Sequence, residues 1–205
     1  MHESLMTSLN IARSELILGG QRSGKSRRAE LLAREWLAAS PAHQAVLIAT
    51  GQPWDDEMRA RIARHQADRA ERVPGMRTVE EPLKLAEAIQ VRSSPVTLVV
   101  VDCLTLWLTN DLMPMEMKNE SFTEPDRPPA LVDSARVAML SGAIAAASGP
   151  VVLVSNEIGL GVIPMGAEVR AFVDELGRVN QEVARVCRRV TMMVAGLPLT
   201  LKDER

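Results

Sequence analysis

Tyrosine is absent from this chain, and aromatic residues of any kind make up only 2% of it. That scarcity argues against a protein that stacks bases on aromatic platforms. Charge of one sign is lacking too: the net charge is −2, so no global basic field holds nucleic acid. Cysteine is limited to Cys103 and Cys187, far apart and in apolar company. They are expected to be buried thiols of a reducing compartment rather than a disulfide. No cluster of Cys and His has zinc spacing. No apolar run approaches the roughly 18 residues of a membrane span, and no secretory signal opens the sequence. The expectation is therefore a cytoplasmic protein with no nucleic-acid partner and no membrane span. With 205 residues, 46% of them apolar and 24% charged, the chain suits one α/β domain with a sizeable core and is short for two.

What is there alternates. The first residues, 1–14, carry no pattern and read as a loose extension to a single domain over 15–205. Glu15-Leu16-Ile17-Leu18 is a short strand stopped by Gly19-Gly20, and Ala29, Leu32, Ala33, Trp36 and Leu37 then recur at helical spacing. Ala45–Ala49, Val96–Val101 and Val151–Val154 are continuous apolar strands, with a short strand at Arg77–Val79. Helices are expected from Asp55 to about Arg72, from Pro82 to Val91, around Leu104, Trp107 and Leu108, and from Ala130 to Ser148. A last one carries the stripe Phe172, Leu176, Val179, Val183, Val186 and Val190. Residues 113–129, with four prolines and no periodicity, read as a mobile surface loop, and Ile158–Gly166 as a Gly- and Pro-containing loop. Thr191–Val194 and Leu199–Leu201 close the chain as strands separated by Gly196 and Pro198. Strands apolar on both faces, alternating with helices, predict a mostly parallel sheet covered on both sides. Ligands of such sheets bind at the carboxyl ends of the strands.

One segment there is specific. Gly19-Gly20-Gln21-Arg22-Ser23-Gly24-Lys25-Ser26 fits G-x-x-x-x-G-K-[ST] in full and lies between a strand and a helix, as phosphate binding requires. Its glycines let backbone N–H groups turn toward phosphate oxygens, and the helix adds the positive end of its dipole. In this reading Lys25 bridges the β- and γ-phosphates of ATP or GTP and Ser26 holds Mg²⁺. Asp102 follows the strand Thr97–Val101, where a second acidic residue organises the metal or its waters; a helix N-cap is the competing role. Asn156 and Glu157 end another strand, where a polar pair either contacts substrate or caps the turn. His65 shares a helical face with Met58 and Ile62 and has Arg59, Arg61, Arg64 and Arg69 around it. Such an imidazole is either a nucleophile toward phosphorus or a partly buried helix histidine. His2 and His43 have nothing to support a role.

Together these segments resemble the bifunctional adenosylcobinamide kinase / adenosylcobinamide-phosphate guanylyltransferase family of cobalamin biosynthesis. The resemblance rests on Gly19–Glu30, Ile48-Ala-Thr50, Asp55-Asp-Glu-Met58, Arg61-Ile-Ala-Arg-His65, Arg77-Thr-Val-Glu80 and Asp102–Asn110. Ser155-Asn-Glu-Ile-Gly-Leu-Gly161, Gly177-Arg-Val-Asn-Gln181 and Gly196–Lys202 complete it, in the family's order. It implies phosphorylation of the aminopropanol hydroxyl of adenosylcobinamide by ATP or GTP, then transfer of GMP from GTP onto the new phosphate. It also implies a histidine–GMP intermediate on the helix after the second strand, where His65 is the only histidine. Thr50, Gly51, Gln52, the stretch Gln66, Ala67, Asp68 and Arg69, then Glu80 and Asp102 are implied to contact the guanine nucleotide. The implied fold is a RecA-like P-loop sheet with one antiparallel strand near the C-terminus, and the implied assembly a homotrimer.

Two other readings remain at this level. A simple P-loop small-molecule kinase has no use for a nucleophilic histidine. A nucleotide switch needs an Asn-Lys-x-Asp segment, which the sequence lacks.

Overall fold

A computed structural model describes residues 10–112, 133–162 and 164–204. The proline-rich stretch 113–129, residues 1–9 and His2 lie outside them. The elements run β1 Ser14–Gly19, α1 Lys25–Ala39, β2 Gln44–Ala49, α2 Asp56–Arg72, β3 Met76–Glu80, α3 Leu85–Arg92, β4 Thr97–Asp102 and α4 Leu104–Leu112. Then come α5 Ser134–Ala146, β5 Val151–Val154, α6 Ala167–Val186, β6 Arg189–Val194 and β7 Leu197–Asp203.

The strands form a seven-stranded sheet in the order β3-β2-β4-β5-β1-β6-β7. Every neighbouring pair is parallel except β6 and β7. Because successive side chains point to opposite faces, each central strand feeds two cores. Leu16, Leu18, Val99, Val101, Val151 and Leu153 pack with Leu85 and Ile89 of α3, Leu104 and Trp107 of α4, Leu140 and Ile144 of α5, and Leu176, Val179 and Val183 of α6. Ile17, Leu47, Leu98, Val100, Val152 and Val154 pack with Ala29, Leu32 and Ala33 of α1. This is why the strands read as unbroken apolar runs. Trp107 is buried and its Nε1 donates to the Leu83 carbonyl at 3.0 Å, so its one polar atom is satisfied.

The chain's edges differ from the sequence reading. Residues 10–13 are not loose: Ile11 packs against the α1-side core and Arg13 donates to the Ala147 carbonyl. Val190 does not belong to the last helical stripe. The backbone turns extended at Cys187, α6 ends at Val186, and Val190 is a buried strand residue of β6. Pro198 does not separate two strands; it sits inside β7 opposite Met193. An edge strand tolerates it because no second neighbour needs its missing N–H. The turn instead falls at Ala195 and Gly196, both with positive φ, as two-residue hairpins require. The third helix begins at Leu85, because the Glu81 carboxylate accepts from the N–H groups of Leu83 and Lys84 and holds residues 82–84 in a turn.

Both cysteines are buried and free. Burial pushes the Cys103 thiol up to about 11 and the Cys187 thiol up to about 12, so neither is a thiolate nucleophile at neutral pH.

Candidate active site

The loop from Gly19 to Ser26 leaves the carboxyl end of β1 and enters α1, and its backbone explains its glycines. Gly19 has φ +150°, and a Cβ there would stand 2.6 Å from both the Met193 carbonyl oxygen and Ser23 Oγ. Alanine at Gly19 is therefore expected to cost about 1–3 kcal/mol and to weaken nucleotide binding. Denaturant unfolding and equilibrium titration with nucleotide measure the two effects. Gly24, at φ +101°, turns the chain into the helix beside Gly196, whose N–H donates to the Ser23 carbonyl at 3.0 Å. The turn between β6 and β7 thus props the loop from outside. Sequence reasoning gave that turn no role, although Gly196–Lys202 was one of the segments carrying the resemblance.

Within the loop, Gln21 and Arg22 are exposed and Ser26 is half-buried. Lys25 is buried, and its Nζ donates to the Gly20 carbonyl at 2.7 Å. Burial lowers the pKa of its ammonium, and the nearby Cys103 and Asp102 oppose that shift. Asp102 is the last residue of β4 and pairs in register with Val154, as Ile17 of β1 does. Val101 packs on the α3–α6 face, so Asp102 turns toward the α1 face, where Lys25 lies. The helix that follows starts at Leu104, which gives its preceding position to Cys103 rather than to Asp102. Among the described residues no group of three or more His, Cys, Asp or Glu side chains could hold a metal on its own. Mg²⁺ does not need one, since phosphates and waters fill most of its coordination. Ser26 and Asp102, both half-buried beside the loop, suit that donor set.

The turn after β2 is built differently from the sequence expectation. Thr50 is fully buried. Its hydroxyl donates to the Cys103 carbonyl at 2.7 Å and accepts from the Cys103 N–H at 2.9 Å, and its carbonyl receives Asn110 Nδ2 at 2.7 Å. The Thr50 side chain is thus a clamp between β2 and β4. Gly51 and Gln52, half-exposed, are what this turn offers a ligand. Thr50→Val should leave the Cys103 N–H unpaired in the interior and cost about 1–3 kcal/mol in denaturant unfolding. Asn110, buried and bonded also to the Pro82 carbonyl, completes the clamp. Sequence reasoning missed it, because an Asn inside a helical segment gives no local signal.

Helix α2 stands over that turn. Asp55 caps it by accepting from the Met58 N–H at 2.7 Å, and Ile62 and Leu106 flank Gly51. At its far end Arg72 bonds Glu30 of α1 at 3.1 Å and Asp68 at 2.9 Å. Met58 and Ile62 are half-buried and Arg69 is buried, but His65 between them is exposed. The inner face of α2 is therefore covered at both ends and open at the histidine, which corrects the reading of a partly buried helix residue. The ring of arginines is thinner than the spacing suggested. Arg59 is bound to Asp56 at 2.5 Å, while Arg61 and Arg64 are exposed. Of the stretch after His65, Gln66 and Ala67 are exposed and Asp68 is held by Arg72. Glu80 is exposed at the end of β3, in one register row with Ala49 and Asp102.

Asn156 resolves toward structure. Its N–H and Nδ2 both donate to Thr105 Oγ1, at 3.1 and 3.0 Å, and its carbonyl receives Asn180 Nδ2 at 3.0 Å. Glu157 is half-buried, and its N–H donates to the Gly19 carbonyl at 3.2 Å. His43 stacks on Trp36 and bonds its carbonyl, a packing role.

The arrangement joins the P-loop, Lys25 and Asp102 at the carboxyl ends of the strands, and sets Gly51, Gln52 and Glu80 along the β2–β3 side of the same edge, with the exposed His65 on α2, the helix that follows the turn after β2. Residues 15–201 match the family model described as cobinamide kinase / cobinamide phosphate guanyltransferase. The chain is 47% identical over 191 residues to the bifunctional adenosylcobalamin biosynthesis protein CobP of Pseudomonas aeruginosa, covering 93% of this chain and 98% of that one. It is 35% identical over 187 residues to the bifunctional adenosylcobalamin biosynthesis protein CobU of Escherichia coli, covering 91% and 98%. Among solved structures, the flagellar accessory protein FlaH of Methanocaldococcus jannaschii superposes with a TM-score of 0.51 at 12% identity, over 95% of this chain and 81% of that one. At that identity the likeness speaks for the fold alone.

Proposed function

Because the chain belongs to the cobinamide kinase / cobinamide phosphate guanyltransferase family, we propose that it carries out both reactions that the family's description names, on adenosylcobinamide. In the first, the aminopropanol hydroxyl attacks the γ-phosphorus of ATP or GTP held in the loop Gly19–Ser26. Lys25 stabilises the charge that develops on the transferring group. Ser26 and Asp102 would hold Mg²⁺ together with the phosphates, and the ion would supply neutralisation of phosphate charge.

In the second reaction, neutral His65 attacks the α-phosphorus of GTP. The bond from that phosphorus to the bridging oxygen breaks, pyrophosphate leaves, and a phosphoramidate joins the imidazole to GMP. The phosphate of the phosphorylated corrinoid then attacks the same phosphorus, the nitrogen–phosphorus bond breaks, and adenosylcobinamide-GDP is released with the histidine restored. Gly51, Gln52, Gln66 and Glu80, all exposed or half-exposed, are the groups that we assign to the guanine nucleotide. Assembly as a homotrimer in the cytoplasm belongs to the same reading, from the family resemblance.

The observation that supports this reading most is the exposure of His65 on a helix face whose other inward residues are covered. A histidine kept for packing would be covered too. Incubation with adenosylcobinamide and ATP, followed by GTP, should give a phosphorylated corrinoid and then a GMP adduct with stoichiometric pyrophosphate, read by mass spectrometry. A phosphorylated corrinoid that accepts no GMP would leave only the simple kinase.

A further inference from the structure

The kinase step needs a group to take the proton of the attacking hydroxyl, and the sheet edge narrows the choice. Among the described residues, three carboxylates stand at strand ends with neither an ion pair nor a capping hydrogen bond: Glu80, Asp102 and Glu157. Glu80 ends β3 at the outer edge, with β2, β4 and β5 between it and the strand that carries the P-loop. At about 4.8 Å per strand that is on the order of 19 Å from β1. Asp102 forms no ion pair with Lys25, although its charge is felt there, and in the reading above it is given to the metal. Glu157 follows β5, the strand next to β1, and its N–H is bonded to the carbonyl of Gly19, where the loop begins.

We propose that Glu157 is the general base of the kinase step, an assignment that rests on the function proposed above. Its backbone is fixed on three sides. Gly19 holds its N–H, Thr105 of α4 holds the N–H and amide of Asn156, and Asn180 of α6 holds the Asn156 carbonyl. A base must be held this firmly relative to the phosphate that its substrate attacks. The side chain is half-buried, with Oε1 3.6 Å from the point where a Cβ on Gly159 would stand. A side chain at 159 would lie in van der Waals contact with that carboxylate, and glycine adds none. The chain beyond it exposes Leu160, Val162 and Met165, the last two almost completely. A corrinoid has a broad apolar body and a hydroxyl-bearing arm, and apolar side chains beside one carboxylate suit both parts.

The step balances without further reactants. The hydroxyl oxygen forms a bond to the γ-phosphorus, the bond from that phosphorus to the β,γ-bridging oxygen breaks, and the nucleoside diphosphate leaves. The hydroxyl proton passes to a Glu157 carboxylate oxygen and from there to water.

Glu157→Gln keeps the shape and removes the basicity. Its kinase kcat should fall about a hundred-fold, the lower end of what a general base contributes, because a loose phosphoryl-transfer transition state asks little of it. Guanylyl transfer to chemically supplied adenosylcobinamide phosphate should stay within a few-fold of the parent, because that acceptor is already an anion. Glu157→Asp, which retains a carboxylate, should recover part of the kinase rate. A kinase rate in Glu157→Gln close to the parent's, or an equal fall in both reactions, overturns the assignment. If the parent itself neither phosphorylates the corrinoid nor transfers GMP, the failure lies in the proposed function instead.

Discussion

Alanine in place of His65 is expected to abolish guanylyl transfer while leaving γ-phosphate transfer to adenosylcobinamide within a few-fold of the parent. The physical ground is a division of labour along the sheet edge. In the proposed kinase step, phosphoryl transfer uses the loop Gly19–Ser26 with Lys25, Asp102 and Glu157, none of which touches α2 through a hydrogen bond or ion pair among the described residues. Guanylyl transfer in the proposed mechanism passes through a bond to the His65 ring and has no other route. His65 is exposed, so its removal opens no cavity and should cost little stability. The covalent adduct that this mechanism requires would be a phosphoramidate, labile in acid and stable in base. The protein label from α-labelled GTP should share that behaviour and vanish in His65→Ala. Undiminished guanylylation in the variant removes the covalent mechanism. Equal loss of both activities in a folded variant assigns His65 to holding the nucleotide rather than to attack.

Lys25→Ala should lower both activities by roughly a hundred- to a thousand-fold, the equivalent of about 3–4 kcal/mol of transition-state stabilisation. In the proposed function both reactions start from a triphosphate, and Lys25 is the cation of the loop Gly19–Ser26 assigned to meet it. The lysine is buried, at the mouth of an interior where its field is poorly screened. Asp102 lies close enough to raise its proton affinity against the effect of burial. Its bond to the Gly20 carbonyl shows the reach of the ammonium around the loop. Losing that one bond should cost on the order of 1 kcal/mol of stability, so the variant should fold. Steady-state rates for each reaction, with thermal unfolding beside them, separate the two effects. Near-normal turnover in the folded variant would contradict the role given to the loop.

The parts of this protein legible in its sequence are those fixed by local rules. The apolar runs at β2, β4 and β5 and the glycine pattern of Gly19–Ser26 each report a constraint that neighbouring residues alone impose. The order of the sheet does not, because it depends on which strands meet across crossovers. Sequence reading therefore placed Asp102 at the active edge without the register row that carries it to the level of Ile17. Thr50 shows the limit more sharply. A threonine just past a strand end looks the same whether it faces a ligand or bonds the chain 53 residues away, and here it does the second. Spacing left the exposure of His65 open for a related reason. Helical spacing tells which residues share a face, whereas coverage of that face depends on where Gly51, Leu106 and Glu30 fall in space. The support of the P-loop by Gly196 is more distant still, linking the ends of the domain.

The central claim, that one chain both phosphorylates the corrinoid and guanylylates it through His65, is tested most directly by a chase. The protein is labelled with α-labelled GTP, freed of nucleotide, and mixed with unlabelled adenosylcobinamide phosphate. The account predicts that the acid-labile label leaves the protein and appears in adenosylcobinamide-GDP in equal amount, at a rate no slower than turnover. Label that stays on the protein, or corrinoid product that forms only when fresh GTP is added, would contradict it.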